Sequence, residues 1–157
     1  MYISKRLKAE EKKFFSKFRF YTIELDHVLR QTSYTQVVIY DQEYQFVFYL
    51  DHTYPFKSPL LYINKQEYIS KFIKFYQKNY SFIQKFLKDE YTCPCCSTLL
   101  CQWSPQNNIQ DLITEFYQQE HKKMMVVGLI ILYPSLVSKD SSPFDDLIYK
   151  NIIKFCL

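Results

Sequence analysis

Four of the five cysteines in this 157-residue chain stand within nine residues, in "CPCCSTLLC", Cys93 to Cys101. Thiols at that density can do three kinds of chemistry. A deprotonated thiol on an accessible loop is a nucleophile, able to take up an acyl group as a thioester and release it to an amine. A thiolate set is a zinc site: Cys93 and Cys96 form Cys-x-x-Cys, and Cys101 could add a third ligand. The fourth would be Cys95, or one of His27, His52, His121 and Cys156, all remote in sequence. Structural zinc usually takes two separated knuckles, and this chain has one. Thirdly, Cys-Pro-Cys-Cys mimics a redox dithiol, but that motif belongs after a first strand, near the start of a domain. The plainest alternative is that cysteines are small buried hydrophobes, and Cys101 and Cys156 are read so.

Composition limits what these thiols can serve. The length predicts a single domain, 1–157, with room for one continuous core. A single glycine excludes phosphate-cradling loops and dinucleotide fingerprints, which need several. The formal charge of +4, from 20 basic and 16 acidic residues, is spread along the chain. It favours an acidic partner without the concentrated footprint of a nucleic-acid binder, so no nucleic acid is expected. Close-spaced cysteines in odd number do not suit a secreted disulfide framework, which predicts a reducing compartment, cytoplasmic or nuclear. The start, "MYISKRLKAEEKK", is charged and argues against a signal peptide. The apolar run "MMVVGLIILY", Met124 to Tyr133, is too short to span a bilayer; it is expected to be buried core, and no membrane partner is expected.

Periodicity then supplies the elements that must position the cysteines. An amphipathic first helix places Ile3, Leu7, Phe14, Phe15 and Phe18 on one face and Lys5, Lys8, Lys12 and Lys13 elsewhere. Strands are predicted at 20–26, with Tyr21, Ile23 and Leu25 inward, and at 35–40, 44–50 and 60–63. The turn at Asp41-Gln42-Glu43 is short enough for a hairpin. A helical insertion follows over 65–90, with Ile69, Phe72, Ile73, Tyr76, Tyr80, Ile83 and Leu87 as its apolar positions. Its lysines, Lys71, Lys74, Lys78, Lys85 and Lys88, are expected to be solvated. The stretch 93–103 reads as loop. Ser104-Pro105 has the N-cap and first-turn residue types for a helix carrying Ile109, Leu112, Ile113 and Phe116. Ser142-Pro143 opens a last helix with Leu147, Ile148, Ile152 and Phe155, where Asp145-Asp146 reads as a cap. One helix before an antiparallel meander is an α+β signature.

That order, with the corner Tyr54-Pro55-Phe56-Lys57-Ser58-Pro59 and the segment Trp103-Ser104-Pro105, resembles the ubiquitin-conjugating (E2) family. The corner is similar to the family's Tyr-Pro-x-x-Pro-Pro, with Ser58 at the first proline of the pair. Trp103-Ser104-Pro105 is similar to the segment after the family's active site. Eight positions before Trp103 stands Cys95, the spacing of the family's thioester-forming cysteine, and Leu99 falls where an apolar loop residue is usual. The resemblance implies a UBC-like fold: N-terminal helix, four-stranded antiparallel meander, helical insertion, active-site loop and C-terminal helices. It implies Cys95 as nucleophile, or Cys96 if the loop is one residue shorter. It also implies three partners: ubiquitin or a ubiquitin-like modifier, its activating enzyme, and a ubiquitin ligase. The ligase would dock at Phe56, Ser104 and Pro105. The activating enzyme would meet the first helix near Lys5, Arg6 and Lys8, a face otherwise read as solvated. A proline-stiffened aromatic loses little entropy on binding; the plainer reading is that Phe56 covers the sheet edge.

The chain departs from the family in two places. Leu87 stands eight residues before Cys95, where the family keeps the asparagine of His-Pro-Asn, and the usual Gly-Gly loop between strands is absent. Two readings therefore stand: a modifier-carrying transferase needing no cofactor, or a non-catalytic binding module whose cysteine cluster is structural or holds zinc.

Overall fold

A computed structural model describes residues 5–10, 20–29, 32–41, 43–79, 82–83, 96, 98–136, 147 and 150–151, the backbone alone for 20–33 and 132–136. Five strands pair antiparallel in sequence order: β1 (Phe20–Leu29), β2 (Thr32–Asp41), β3 (Tyr44–Leu50), β4 (Leu60–Ile63) and the short β5 (Gln66–Glu67). Among the described residues the helices include α1 (residues 5–10), α2 (Tyr68–Lys78) and α3 (Ile109–Leu136), with further helical residues at 82–83, 147 and 150–151. This is an α+β protein built on a meander.

The register shows why the sheet buries one face. Val37 lies opposite Phe48 and Phe48 opposite Leu61; Ile39 lies opposite Phe46 and Phe46 opposite Ile63. With side chains alternating along each strand, these six share a face, and each is at most 1% exposed. Ile109, Leu112, Ile113 and Phe116 of α3 close the core over them, as their spacing predicts. Phe116 sits in a ring cluster, edge-on to Tyr44 at 4.7 Å and to Phe46 at 5.3 Å. The opposite face carries a half-buried polar-aromatic row, where Gln36 Nε2 donates to Tyr49 OH and Tyr49 meets Tyr62 edge-on.

Several expectations are corrected. β1 runs three residues further than predicted, to Leu29, through a register break between Leu25 and His27. The insertion does not begin as helix at Lys65. Asn64 and Lys65 have φ of 48° and 66°, the paired left-handed conformation of a two-residue hairpin, so Gln66 pairs back onto Ile63 as β5. Asparagine tolerates that conformation, and its side chain is held, accepting the Gln45 N–H at 2.8 Å. Lys71 is not a solvated lysine: its Nζ lies 5.6 Å and 5.4 Å from the ring centroids of Tyr44 and Phe116. Met124 to Tyr133 is not a buried run but part of α3, where Val126 is buried while Met124 and Ile131 are 66% and 69% exposed. Leu147, expected on an apolar stripe, is exposed. No helix among the described residues is long and apolar enough to cross a membrane. The inward placement of Tyr21, Ile23 and Leu25, the faces of Phe14, Phe15 and Phe18, and the insertion beyond Ile83 lie outside the described residues.

Candidate functional site

The corner after β3 is built by two overlapping turns. Tyr54 N–H donates to Asp51 O at 3.1 Å and Phe56 N–H to Thr53 O at 2.8 Å. Asp51 is the organiser. Its Oδ1 accepts the Thr53 N–H at 2.6 Å and the Thr53 hydroxyl as well, and its Oδ2 is 3.1 Å from Lys57 Nζ. The Tyr54–Pro55 peptide is cis. Tyr54 and Pro55 turn inward and are buried, which leaves Phe56 pointing out, 70% exposed. Burial pushes the Asp51 carboxyl up, but the two Thr53 bonds and the Lys57 charge outweigh it and hold the group below its ordinary value. A carboxylate depressed in the folded state adds stability above its unfolded value, about 4, and loses it as pH falls through the folded value. Asp51→Asn is therefore expected to lower the melting temperature at pH 7, with the gap to wild type closing below pH of about 4; thermal melts across pH check this.

The second loop reaches the first through Trp103. Its Nε1–H donates to Pro55 O at 2.7 Å, and its ring lies 6.0 Å from that of Tyr54. Here the structure corrects the sequence reading. Ser104-Pro105 does not cap the helix; it forms a turn, with Asn107 N–H donating to Ser104 O at 3.0 Å and Ser104 Oγ donating to Asn107 Oδ1. The cap is Asn108. Its Oδ1 accepts the Asp111 N–H at 3.2 Å, and Asp111 Oδ2 accepts the Asn108 N–H at 2.9 Å, a reciprocal capping box.

Beneath both loops lies Glu10, a residue that sequence reasoning missed. It is 6% exposed and accepts from three elements: Arg6 Nε at 2.6 Å, Tyr54 OH at 2.8 Å and the Ile109 N–H at 3.4 Å. Arg6 Nη2 also donates to Asn107 O at 3.1 Å. One carboxylate thus joins α1, the Tyr-Pro-Phe corner and the start of α3. Burial and the Glu10 charge together push the Tyr54 hydroxyl well above its ordinary value, so it stays a donor. Burial would lower Arg6, but its bond to Glu10 and that residue's charge more than offset this and hold the guanidinium up. A legible signal existed: position 10 follows Leu7 at helical spacing, placing a carboxylate on the apolar stripe.

The predicted docking residues therefore fall around one connected corner. Phe56 and Pro105 are exposed, Ser104 is half-buried, and the adjoining residues Pro55 and Trp103 are hydrogen-bonded to each other. Lys5 and Lys8 are exposed; Arg6 spends Nε and Nη2 on the fold. Of the cysteines, Cys93, Cys95 and Cys156 lie outside the described residues. Cys96 is exposed, and its carbonyl accepts Gln102 Nε2 at 2.6 Å. Cys101, expected as a buried hydrophobe, is exposed; its N–H donates to Thr98 O at 3.1 Å. Leu99 packs partly on the core, and Glu115 Oε1 holds its N–H at 2.7 Å, anchoring the loop that follows the cysteines to α3. Among the described residues no group of three His, Cys, Asp or Glu side chains could hold a metal ion.

Comparison of the chain with protein-family models, curated proteins and solved structures gives no match.

Proposed function

We propose that the chain is a ubiquitin-conjugating-like protein of UBC-like fold, carrying ubiquitin or a ubiquitin-like modifier on Cys95. The observation that carries this reading is the hydrogen bond from Trp103 Nε1 to Pro55 O, which joins the two loops whose motifs resemble the family's ligase dock. Support also comes from Leu99, tied to α3 at 2.7 Å, which fixes the downstream end of the cysteine loop while Cys96 stays open to solvent. In the reaction, the Cys95 thiolate attacks the carbonyl of the modifier's C terminus, held as a thioester on the activating enzyme, and displaces that enzyme's thiolate. A lysine amine then attacks the new thioester. An isopeptide bond forms, the proton leaves with solvent, and the Cys95 thiolate is released.

Incubation with activating enzyme, ATP and ubiquitin is expected to give a band on a non-reducing gel that reductant removes. Phe56→Ala is expected to leave that charging unchanged. Ligase-stimulated discharge falls at least ~30-fold, the loss of a hot-spot aromatic worth about 2 kcal/mol. A second reading, a non-catalytic binding module, draws on Leu87 standing where the family's asparagine would be. It predicts no adduct and an intact docking corner.

A further inference from the structure

Helix α3 outruns the core that it helps to build. Its contribution to the central cluster ends at Phe116, with Tyr117 packed alongside, yet the helix continues to Leu136. From Phe116 the sheet-facing stripe goes on through Glu120, Met124, Val127 and Ile131, each three or four residues from the last. There it meets solvent: Met124 is 66%, Val127 40% and Ile131 69% exposed, while Val126, off the stripe, is fully buried. A helical segment that is apolar all round is one whose faces are all covered. The only glycine in the chain says how close the cover comes. Gly128 stands inside α3 beside Val127, at a helix-interior position where only proline is less favourable. Among the described residues nothing calls for it, since a methyl group there would meet no atom within 4 Å. A missing side chain on an open helical face lets a second backbone approach closely.

The stripe is complementary to itself. With two copies of α3 antiparallel and a two-fold axis midway between residues 127 and 128, each Val127 lies over Gly128 of the partner subunit. Each Met124 then meets Ile131 of the partner subunit. Bulk faces a gap at the centre, and apolar side chains face each other on either flank. The charges favour the same direction. Where the exposed stripe begins, Glu120 is answered by two lysines, Lys123 at 2.7 Å and Lys71 at 4.0 Å, which leaves that end net positive. From Met124 to Leu136 the helix carries no charged residue, and its last turn has no basic one to offset the negative end of the helix dipole. Antiparallel pairing lays the positive end of each copy beside the negative end of the other. A parallel pair would set like ends together.

We propose that this face of α3 is a dimer interface, paired antiparallel with the same face of a second copy of the chain. The proposal is independent of the modifier-carrier reading and survives its failure. The exposed stretch, 124–136, is about 20 Å of helix. Such a seam falls short of the ~1,200 Å² of a standard interface, so the dimer is weak and reversible. Sedimentation equilibrium of the full chain tests it, with reductant present because Cys96 and Cys101 are exposed. The average mass is expected to rise with concentration from that of one chain toward that of two. Gly128→Leu closes the gap under Val127 and is expected to abolish association. The same variant, melted at concentrations where the wild type is monomeric, is expected to unfold at a higher temperature, because leucine suits a helix interior better. Met124→Glu and Ile131→Lys are each expected to weaken association at least about tenfold, the loss of one buried apolar side chain. The double variant sets the two new charges against each other across the two-fold axis and is expected to regain most of that loss. A one-chain mass at every concentration, association unchanged by Gly128→Leu, or a double variant no better than the single ones overturns the proposal.

Discussion

Replacing Glu10 by alanine is expected to cost about 3 kcal/mol of folding stability, more than a hundredfold in the folded-to-unfolded ratio. The magnitude follows from what one substitution strands. Arg6 Nε, the Tyr54 hydroxyl and the Ile109 N–H all donate to this carboxylate, at 2.6, 2.8 and 3.4 Å. Each donor left without an acceptor costs desolvation that the unfolded chain does not suffer, and Tyr54 is only 1% exposed. Glu10→Gln keeps an acceptor oxygen but loses the charge, and about half the penalty is expected. Urea unfolding measures both. The alanine variant should also dock more weakly, because the start of α3 and the Tyr-Pro-Phe corner lose their shared anchor. A loss below about 0.5 kcal/mol would mean the carboxylate is incidental to the corner.

The second large effect belongs to Phe116. Truncation to alanine is expected to cost about 4 kcal/mol, within the range for buried phenylalanine. The ring is fully buried, and four aromatic neighbours surround it: Tyr44 at 4.7 Å, Phe46 at 5.3 Å, Tyr117 at 5.4 Å and Tyr68 at 6.2 Å. Most of these contacts are edge-on, the arrangement the ring quadrupole favours, and they join β3, α2 and α3 at one point. Phe116→Leu conserves more volume and should cost about 1.5 kcal/mol. Urea midpoints for the two variants check the order. An alanine variant as stable as the leucine variant would show that α3 is held to the sheet elsewhere.

Much of this architecture is legible in the residues themselves. β3 and β4 fall where predicted because their apolar residues alternate into one buried face, and the α3 stripe from Ile109 to Phe116 keeps helical spacing. The corner at Phe56 was legible because prolines bracket it. Other features were hidden for physical reasons. The Asn64-Lys65 hairpin lacks the glycine that usually announces paired left-handed residues, and asparagine supplied the freedom instead. Ser104-Pro105 and Asn108 are both chemically fit to start a helix. Only the reciprocal bonds between Asn108 and Asp111 decide between them, and these are seen in the folded chain alone. The run Met124 to Tyr133 is apolar all round, so nothing in it tells which side of α3 meets the protein; Val126 does, and Met124 and Ile131 do not. Glu10 was overlooked although its spacing from Leu7 puts a carboxylate on the apolar stripe of α1; what the sequence hides is the set of donors, from the Tyr-Pro-Phe corner and the start of α3, that this carboxylate accepts from.

The central claim, a thioester on Cys95, is tested most directly by charging three proteins side by side: wild type, Cys95→Ser and Cys96→Ser, each first shown to melt as the wild type does. With activating enzyme, ATP and ubiquitin, the account predicts a reductant-sensitive adduct on wild type and Cys96→Ser and none on Cys95→Ser. An adduct that survives Cys95→Ser, or its absence from the wild type, would contradict it.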